Sequence, residues 1–425
     1  MERRSFLGAL AAPAALHAAG QTAAPGNSTK IAAVEIWRVE GHRKALAGVN
    51  SQYQVQPLHV YEEYRPKPYY DNPNPVERDV PASAFYLSIK TVGGLEGLYG
   101  PVDREPATVI GQQLSRFLTG KDALAGEALW DQMHRSDRHS RRGHYMMAIS
   151  ALDNALWDLR GRYFNVPVYR LLGGPTRTSV EAYGSCLGYS IEPELAAKRA
   201  AALLAEGYRN QKWFMAYGPG DGNEGLEKNV QLVKALRETL GDTVSLMFDA
   251  YSGWNLDYAL AWAKRVEQYH PRWIEEAFHP EKMESFAELR RKTSVPVASG
   301  EHFYGRWEVH EYLKADAISV VQADPEWCGG VSELVKICAI SSLFDAQVIP
   351  HGHGIHAALH VVASQPPMIC PWIEYLINKM SSYHHFEKHD YQVVKGRVAL
   401  PDRPGFGIEL DPAKIVGRTL VRAGL

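Results

Sequence analysis

The chain has 425 residues, 45% of them hydrophobic and 22% charged, with a net charge of −2 and 4 cysteines. That composition belongs to a folded globular protein, and the length exceeds one α/β barrel of ~250 residues by enough to form a second, smaller domain. The balanced charge, without a Lys/Arg run, argues against a nucleic-acid partner, and no apolar stretch reaches the ~18 residues of a bilayer span, so a small-molecule partner is expected. Cys186, Cys328, Cys338 and Cys370 lack CxxC spacing, lie in or beside apolar runs, and read as buried free thiols.

The N-terminal stretch MERRSFLGALAAPAALHAAGQTAAP sets Arg3 and Arg4 before Phe6 and Leu7, then a modest apolar segment and small residues near Ala19 and Ala24. It resembles a twin-arginine export signal, which implies a periplasmic or exported protein whose fold begins after residue 27. An unstructured start to a cytoplasmic protein is the alternative. From Lys30, IAAVEIWRV alternates as a strand does, and FYLSIKTVGGLEGLYG adds two runs around Gly93-Gly94, so an antiparallel sheet is expected. Between them, residues 42–82 read as a long connection carrying Tyr53, His59, Tyr61, Tyr64, Arg65, Lys67, Tyr69 and Tyr70. Connections longer than ~15 residues are usually functional or disordered. Interleaved aromatic and basic groups suit the covering of a polyhydroxylated anion, which makes His59 and Arg65 candidate substrate contacts; a packed surface loop is the alternative.

Helical periodicity follows in ATVIGQQLSRFL, ALAGEALWDQM and YMMAISALDNALWDLRGRYF, the last with an apolar face of Met147, Ile149, Leu152, Leu156 and Leu159. These helices complete an α+β capping domain over residues 28–165. The cluster Arg138, His139, Arg141, Arg142 and His144 reads as a solvated helix entry. After Pro167, VYRLLGG ends the helical region, and VEAYGSC opens a barrel over residues 166–384. A helix and a strand with Lys212 come next, and the glycine-rich loop behind them matches no phosphate-binding fingerprint. In the tail, residues 385–425, YQVVKGRVALPDRPGFGIELD offers a short hairpin and is expected to return to the cap.

Within the barrel, acidic groups and a histidine close successive short apolar runs: Asp249 after VSLMF, Glu275 after RWI, Glu301 after VPVASG, Asp324 after ISVVQA, His351 after AQVIP and Glu374 after ICPWI. Their intervals of 23 to 27 residues match one strand, one helix and two loops. In an α/β barrel the C-terminal strand ends converge on one mouth. Asp249, Glu275 and Glu301, from three consecutive strands, then form an oxygen-only site suited to Mg²⁺, a Lewis acid able to hold a carboxylate and stabilise the charge left by an α-proton. His351 is the candidate base, oriented by Asp324. Glu374, if protonated, could hydrogen-bond an enediolate, and Lys212 could bind the substrate carboxylate or neutralise the metal site. The His351-Gly352-His353 run also permits a zinc pair, but it comes late in the barrel, behind three acids.

At these residues the chain resembles the enolase superfamily in its mandelate racemase branch. The segments ALWDLRGRYFNVPVYRLLGG, LMFDAY, WIEEAF, SGEHF, QADPEWCGGVSELVKI, VIPHG and PGFGIEL are most similar to the L-rhamnonate dehydratase group. The resemblance implies a modified TIM barrel, (β/α)7β, under the cap. It also implies metal binding by Asp249, Glu275 and Glu301, a His351–Asp324 general base, Glu374 beside the substrate carboxylate or enolate, and His302 touching substrate. The implied reaction dehydrates a sugar acid to a 2-keto-3-deoxy acid, with His351 serving as both base and acid, in a homo-oligomer. Two features depart from the pattern. Racemases of this branch carry a KxK pair where this chain has Lys212-Trp213-Phe214, and the 42–82 connection has no counterpart in the rhamnonate pattern. Mannonate dehydratases carry histidine after the first metal ligand, where this chain has Ala250-Tyr251. A 2-hydroxy-acid racemase or epimerase, and a non-catalytic metal-dependent sugar-acid binding protein, are the alternatives.

Overall fold

The computed structural model describes residues 28–47, 54–65 and 76–421. The segment with Arg3 and Arg4 lies outside them, as do Tyr53, Lys67, Tyr69 and Tyr70. Strand β1 (Ile31–Ala47) pairs antiparallel with β2 (Val76–Thr91) out to Ala47 opposite Val76, and β2 pairs with β3 (Glu96–Val102). The connection expected over 42–82 is therefore shorter, because both of its ends are strand. This outer half of the ribbon is largely solvated on both faces, so no alternation of apolar residues marks it; Lys44 sits opposite Asp79 there.

The cap helix Gly143–Phe164 buries polar as well as apolar residues, since it is packed between β3 and the barrel helix Gly330–Ser341. Its buried polar groups fasten the start of that helix. Ser150 Oγ accepts from Gly329 N at 2.8 Å, Asn154 Oδ1 from Val331 N at 3.0 Å, and Asp153 Oδ2 from Ser332 N at 2.9 Å. Asn154 Nδ2 also donates to Pro325 O at 3.0 Å. Orphan N–H groups at a helix start are thus satisfied from the cap, and the loop beginning at Asp324 is held in place.

Eight strands form the barrel: β4 (Ser179–Ser185), β5 (Asn210–Phe214), β6 (Ser245–Asp249), β7 (Trp273–Glu275), β8 (Val297–Ser299), β9 (Val320–Val321), β10 (Gln347–Val348) and β11 (Trp372–Leu376). Neighbours from β4 to β10 pair in parallel, and β11 pairs in parallel with β4. Tyr183, Met247, Trp273, Ala298, Val320 and Ile349 pack together as a separate apolar cluster inside the barrel. Because side chains alternate along a strand, Asp249 and Glu275, each two residues beyond a member of that cluster, also point inward.

The tail serves both domains. Its hairpin of β12 (Val393–Val394) and β13 (Arg397–Ala399) joins the barrel at the start of β4, where pairing with β5 has not begun, and β14 (Gly417–Leu420) pairs with β1 in the cap. All four cysteines are buried and unbridged. Among the described residues, no helix is long and apolar enough to cross a membrane.

Candidate active site

The strand register sets Phe214 beside Asp249 and Asp249 beside Glu275. Glu301 lies two residues past the end of β8, beyond Gly300, whose φ of 129° turns the chain at the barrel rim. Lys212 is 1% exposed, and its Nζ lies 3.2 Å from Asp249 Oδ2, 2.9 Å from Glu374 Oε1 and in contact with Glu275 Oε1. Burial alone would lower the Lys212 pKa, but Glu275, Glu374, Tyr183 and Asp249 carry it well above the lysine range. Burial pushes the Asp249, Glu275 and Glu301 carboxyls up. Carboxylates so outnumber the positive groups here that a divalent cation, bound through oxygen, fits the donor set.

His351 Nδ1 lies 2.8 Å from Asp324 Oδ2. A carboxylate accepting at Nδ1 fixes the proton there, so Nε2, 3.9 Å from Glu301 Oε2, carries the free lone pair. Asp324 is held in turn, accepting from Glu326 N at 2.6 Å and His353 N at 3.1 Å. Burial would lower the His351 pKa, but Glu301, the Asp324 hydrogen bond and Glu374 push it up to about 9.

Glu374 behaves differently from the sequence expectation. Gly352 N donates to its Oε2 at 2.9 Å and Lys212 faces its other oxygen. Burial would raise its pKa, but Lys212 and His351 hold it below the usual carboxylate range. Paired in this way, Glu374 accepts at both oxygens in this structure, and the donor beside it is Lys212. The packing also explains two glycines of the HGHG run: a Cβ on Gly352 would meet Glu374 Cγ at 2.9 Å, and one on Gly354 would meet Glu326 Oε1 at 1.9 Å.

His302 Nδ1 lies 3.0 Å from Glu276 Oε1, and its ring is 5.5 Å from that of Trp327. His302, Glu276, Tyr251, Tyr304 and Pro57 of the cap connection help line a cleft of about 290 Å³. Donor atoms of Glu276, Glu301 and His302 lie within 4.8 Å of one another, so Glu276, next to Glu275 and not singled out from the sequence, widens the oxygen set. His59 and Arg65 serve the connection itself: His59 Nδ1 accepts from Gln56 N, Arg65 Nε donates to His59 O, and the Arg65 guanidinium lies against Gly220. Neither has a hydrogen bond or ion pair with the carboxylates or with His351. The two histidines of the HGHG run do not form a zinc pair. Their rings are 6.4 Å apart, and His353 has both nitrogens engaged, Nδ1 with Lys379 and Nε2 with Asp103.

A capped eight-stranded barrel with inward acids on consecutive strands and a later His–Asp pair defines an enolase-type enzyme fold. The chain belongs to the mandelate racemase/muconate lactonizing enzyme family: residues 80–173 match the mandelate racemase / muconate lactonizing enzyme N-terminal domain, and residues 195–414 match the Enolase C-terminal domain-like family. It is 31% identical over 336 residues to an L-rhamnonate dehydratase of Saccharopolyspora erythraea, covering 77% of this chain and 83% of the relative. Among solved structures it resembles the rhamnonate dehydratase of Gibberella zeae complexed with Mg, with a TM-score of 0.75 and 28% identity over 92% of this chain and 96% of that one. It also resembles the 3,6-anhydro-D-galactonate cycloisomerase of Zobellia galactanivorans, with a TM-score of 0.71 and 25% identity over 91% and 98%.

Proposed function

We propose that the protein is a Mg²⁺-dependent sugar-acid dehydratase that removes the proton α to the carboxylate and expels the β-hydroxyl, giving a 2-keto-3-deoxy acid. The observation that carries the reading is the convergence of Asp249, Glu275, Glu301 and Lys212 on the side of the mouth faced by His351 Nε2. Asp249, Glu275 and Glu301 would hold the ion, which supplies Lewis-acid stabilisation of the negative charge on a bound carboxylate. Lys212, pinned by three carboxylates, offers a fixed positive charge to the same substrate group. His351 takes the α-proton at Nε2, and Asp324 holds the ring for it. The L-rhamnonate dehydratase names of the relatives favour a 6-deoxy or unmodified aldonate as substrate. Phe214, 6% exposed, stands where two-base members of the branch carry a second lysine, which favours elimination over racemisation.

A panel of aldonic and aldaric acids, incubated with protein and Mg²⁺ in D₂O, tests the reading. Formation of a 2-keto acid from at least one aldonate is expected. Absence of both turnover and α-proton exchange across the panel would refute it, and exchange without loss of water would transfer the assignment to an epimerase.

A further inference from the structure

A buried cluster that shares no residue with the barrel mouth joins the cap, the barrel and the start of the tail. His356 opens the barrel helix His356–Ser364, His384 and Glu387 follow the short helix Met380–Tyr383, and Tyr86 reaches Glu387 from cap strand β2. Tyr86, Glu387 and both histidines are at most 3% exposed, so bulk water does not complete their hydrogen bonds. The Glu387 carboxylate has no lysine or arginine partner among the described residues; Lys414 Nζ donates instead to its backbone carbonyl, at 2.6 Å. Two imidazoles and a hydroxyl are what face this buried negative charge.

The two oxygens of that carboxylate are unevenly served. Oε1 is approached by His384 Nδ1 at 2.9 Å, His356 Nε2 at 3.1 Å and Tyr86 OH at 3.2 Å, three partners for two lone pairs. Oε2 lies 2.9 Å from His356 Nε2, yet no hydrogen-bond donor among the described residues is aligned with it. The tautomer of His356 sharpens the mismatch. Tyr391 OH spends its one hydrogen on Phe406 O at 3.2 Å, so its oxygen accepts from His356 Nδ1–H at 3.0 Å. In the neutral ring Nε2 then carries a lone pair turned toward a carboxylate. An imidazolium would send its Nε2 proton to the crowded Oε1 and leave Oε2 bare. A metal cation between Nε2 and Oε2 resolves both conflicts. The Tyr391 contact on the other ring nitrogen is of the kind that orients a metal-bound histidine.

We propose that His356, His384 and Glu387 form a structural zinc site, separate from the oxygen-only set at the barrel mouth. One nitrogen from each ring and one carboxylate oxygen lie within 4.8 Å of one another. Tetrahedral Zn²⁺ with bonds of ~2.0–2.1 Å holds its ligand atoms ~3.3 Å apart, so the 2.9 Å contacts of Glu387 open by about 0.4 Å on binding. Two imidazoles and one carboxylate suit Zn²⁺ better than Mg²⁺, which takes oxygen ligands. Bound there, the ion neutralises the Glu387 charge and ties His384 and Glu387 to the barrel helix, while Tyr86 brings the cap strand to the same carboxylate. Because its ligands are buried, the ion enters as the chain folds. The site is independent of the reaction run at the barrel mouth.

The test takes the full-length protein, produced in Zn²⁺-supplemented medium and dialysed against excess Mg²⁺, to elemental analysis and zinc X-ray absorption. One zinc per chain is expected, with imidazole nitrogens among its ligands, and its removal by a chelator is expected to lower Tm. His384→Asn and Glu387→Gln are each expected to lose that zinc while still binding Mg²⁺. The absorption spectrum separates this site from the barrel mouth, where Asp249, Glu275 and Glu301 offer oxygen alone. It is read on wild-type protein, so it decides the matter even if a variant does not fold. The proposal is overturned if the wild type holds no zinc, if its zinc has oxygen ligands only, if removing the zinc leaves Tm unchanged, or if either folded variant retains it.

Discussion

Lys212 Nζ on β5 lies 2.9 Å from Glu374 Oε1 on β11, so one ion pair bridges the two strands that flank β4. Both side chains are at most 1% exposed. Removing one member of a buried pair strands the other charge at a cost of about 3–5 kcal/mol, whereas removing both can approach neutrality. Lys212→Met is therefore expected to lose about that much stability in urea denaturation, with Glu374→Gln in the same chain recovering part of it. Additive losses in the double variant would show that the two groups do not act as a pair.

His351→Asn is expected to lower both α-proton exchange and dehydration by about 10²- to 10⁴-fold, because the imidazole Nε2 is the group that takes the proton. Mg²⁺ binding, followed by calorimetry, should be retained, since His351 is not among the oxygen donors. Asp324→Asn should lose activity as well, as an amide does not favour the Nδ1–H tautomer as a carboxylate does. Exchange that persists at the wild-type rate in His351→Asn would place the base elsewhere.

The pH dependence has a definite sign. A base works after losing its proton, so activity rises with pH through the His351 pKa, which Glu301, Asp324 and Glu374 push up to about 9 against the effect of burial. A cation bound at Glu301 cancels part of the charge that holds this proton, so saturation with Mg²⁺ should move the midpoint below about 9. NMR titration of the His351 imidazole with and without Mg²⁺ reads the shift directly. A midpoint that stays fixed or rises on adding Mg²⁺ contradicts Glu301 as a ligand.

Much of this site is legible in the sequence because barrel geometry converts a regular spacing into a place in space. Asp249, Glu275, Asp324, His351 and Glu374 each close an apolar run, and the fold brings such ends to one mouth. The expected apolar runs outlast the ladders, which are only two residues long in β9 and β10. What the pattern does not carry is charge state and cross-element contact. Glu374 reads as a possible proton donor until Lys212, from a distant strand, is seen against it. Asp103, His353 and Lys379 come from the cap and two separate barrel loops, and no spacing rule links them. The outer β1–β2 ribbon was hidden for another reason: a strand solvated on both faces lacks the alternation by which strands are found.

Asn154 offers a test of how the cap supports the base. Its side chain accepts from Val331 N and donates to Pro325 O, each at 3.0 Å, and so ties both sides of the loop that follows Asp324 to the cap helix. Asn154 is fully buried and Asp324 is held by that same loop through Glu326 N. Asn154→Ala removes both hydrogen bonds, leaves two backbone groups unpaired, and is expected to cost about 1–3 kcal/mol in denaturant unfolding. Small displacements of a catalytic group carry large rate penalties, so kcat is expected to fall by about 10- to 100-fold, with KM changed far less, because no substrate contact is lost. A variant that loses stability by this amount yet keeps the wild-type kcat would show that the Asp324–His351 geometry does not depend on the cap.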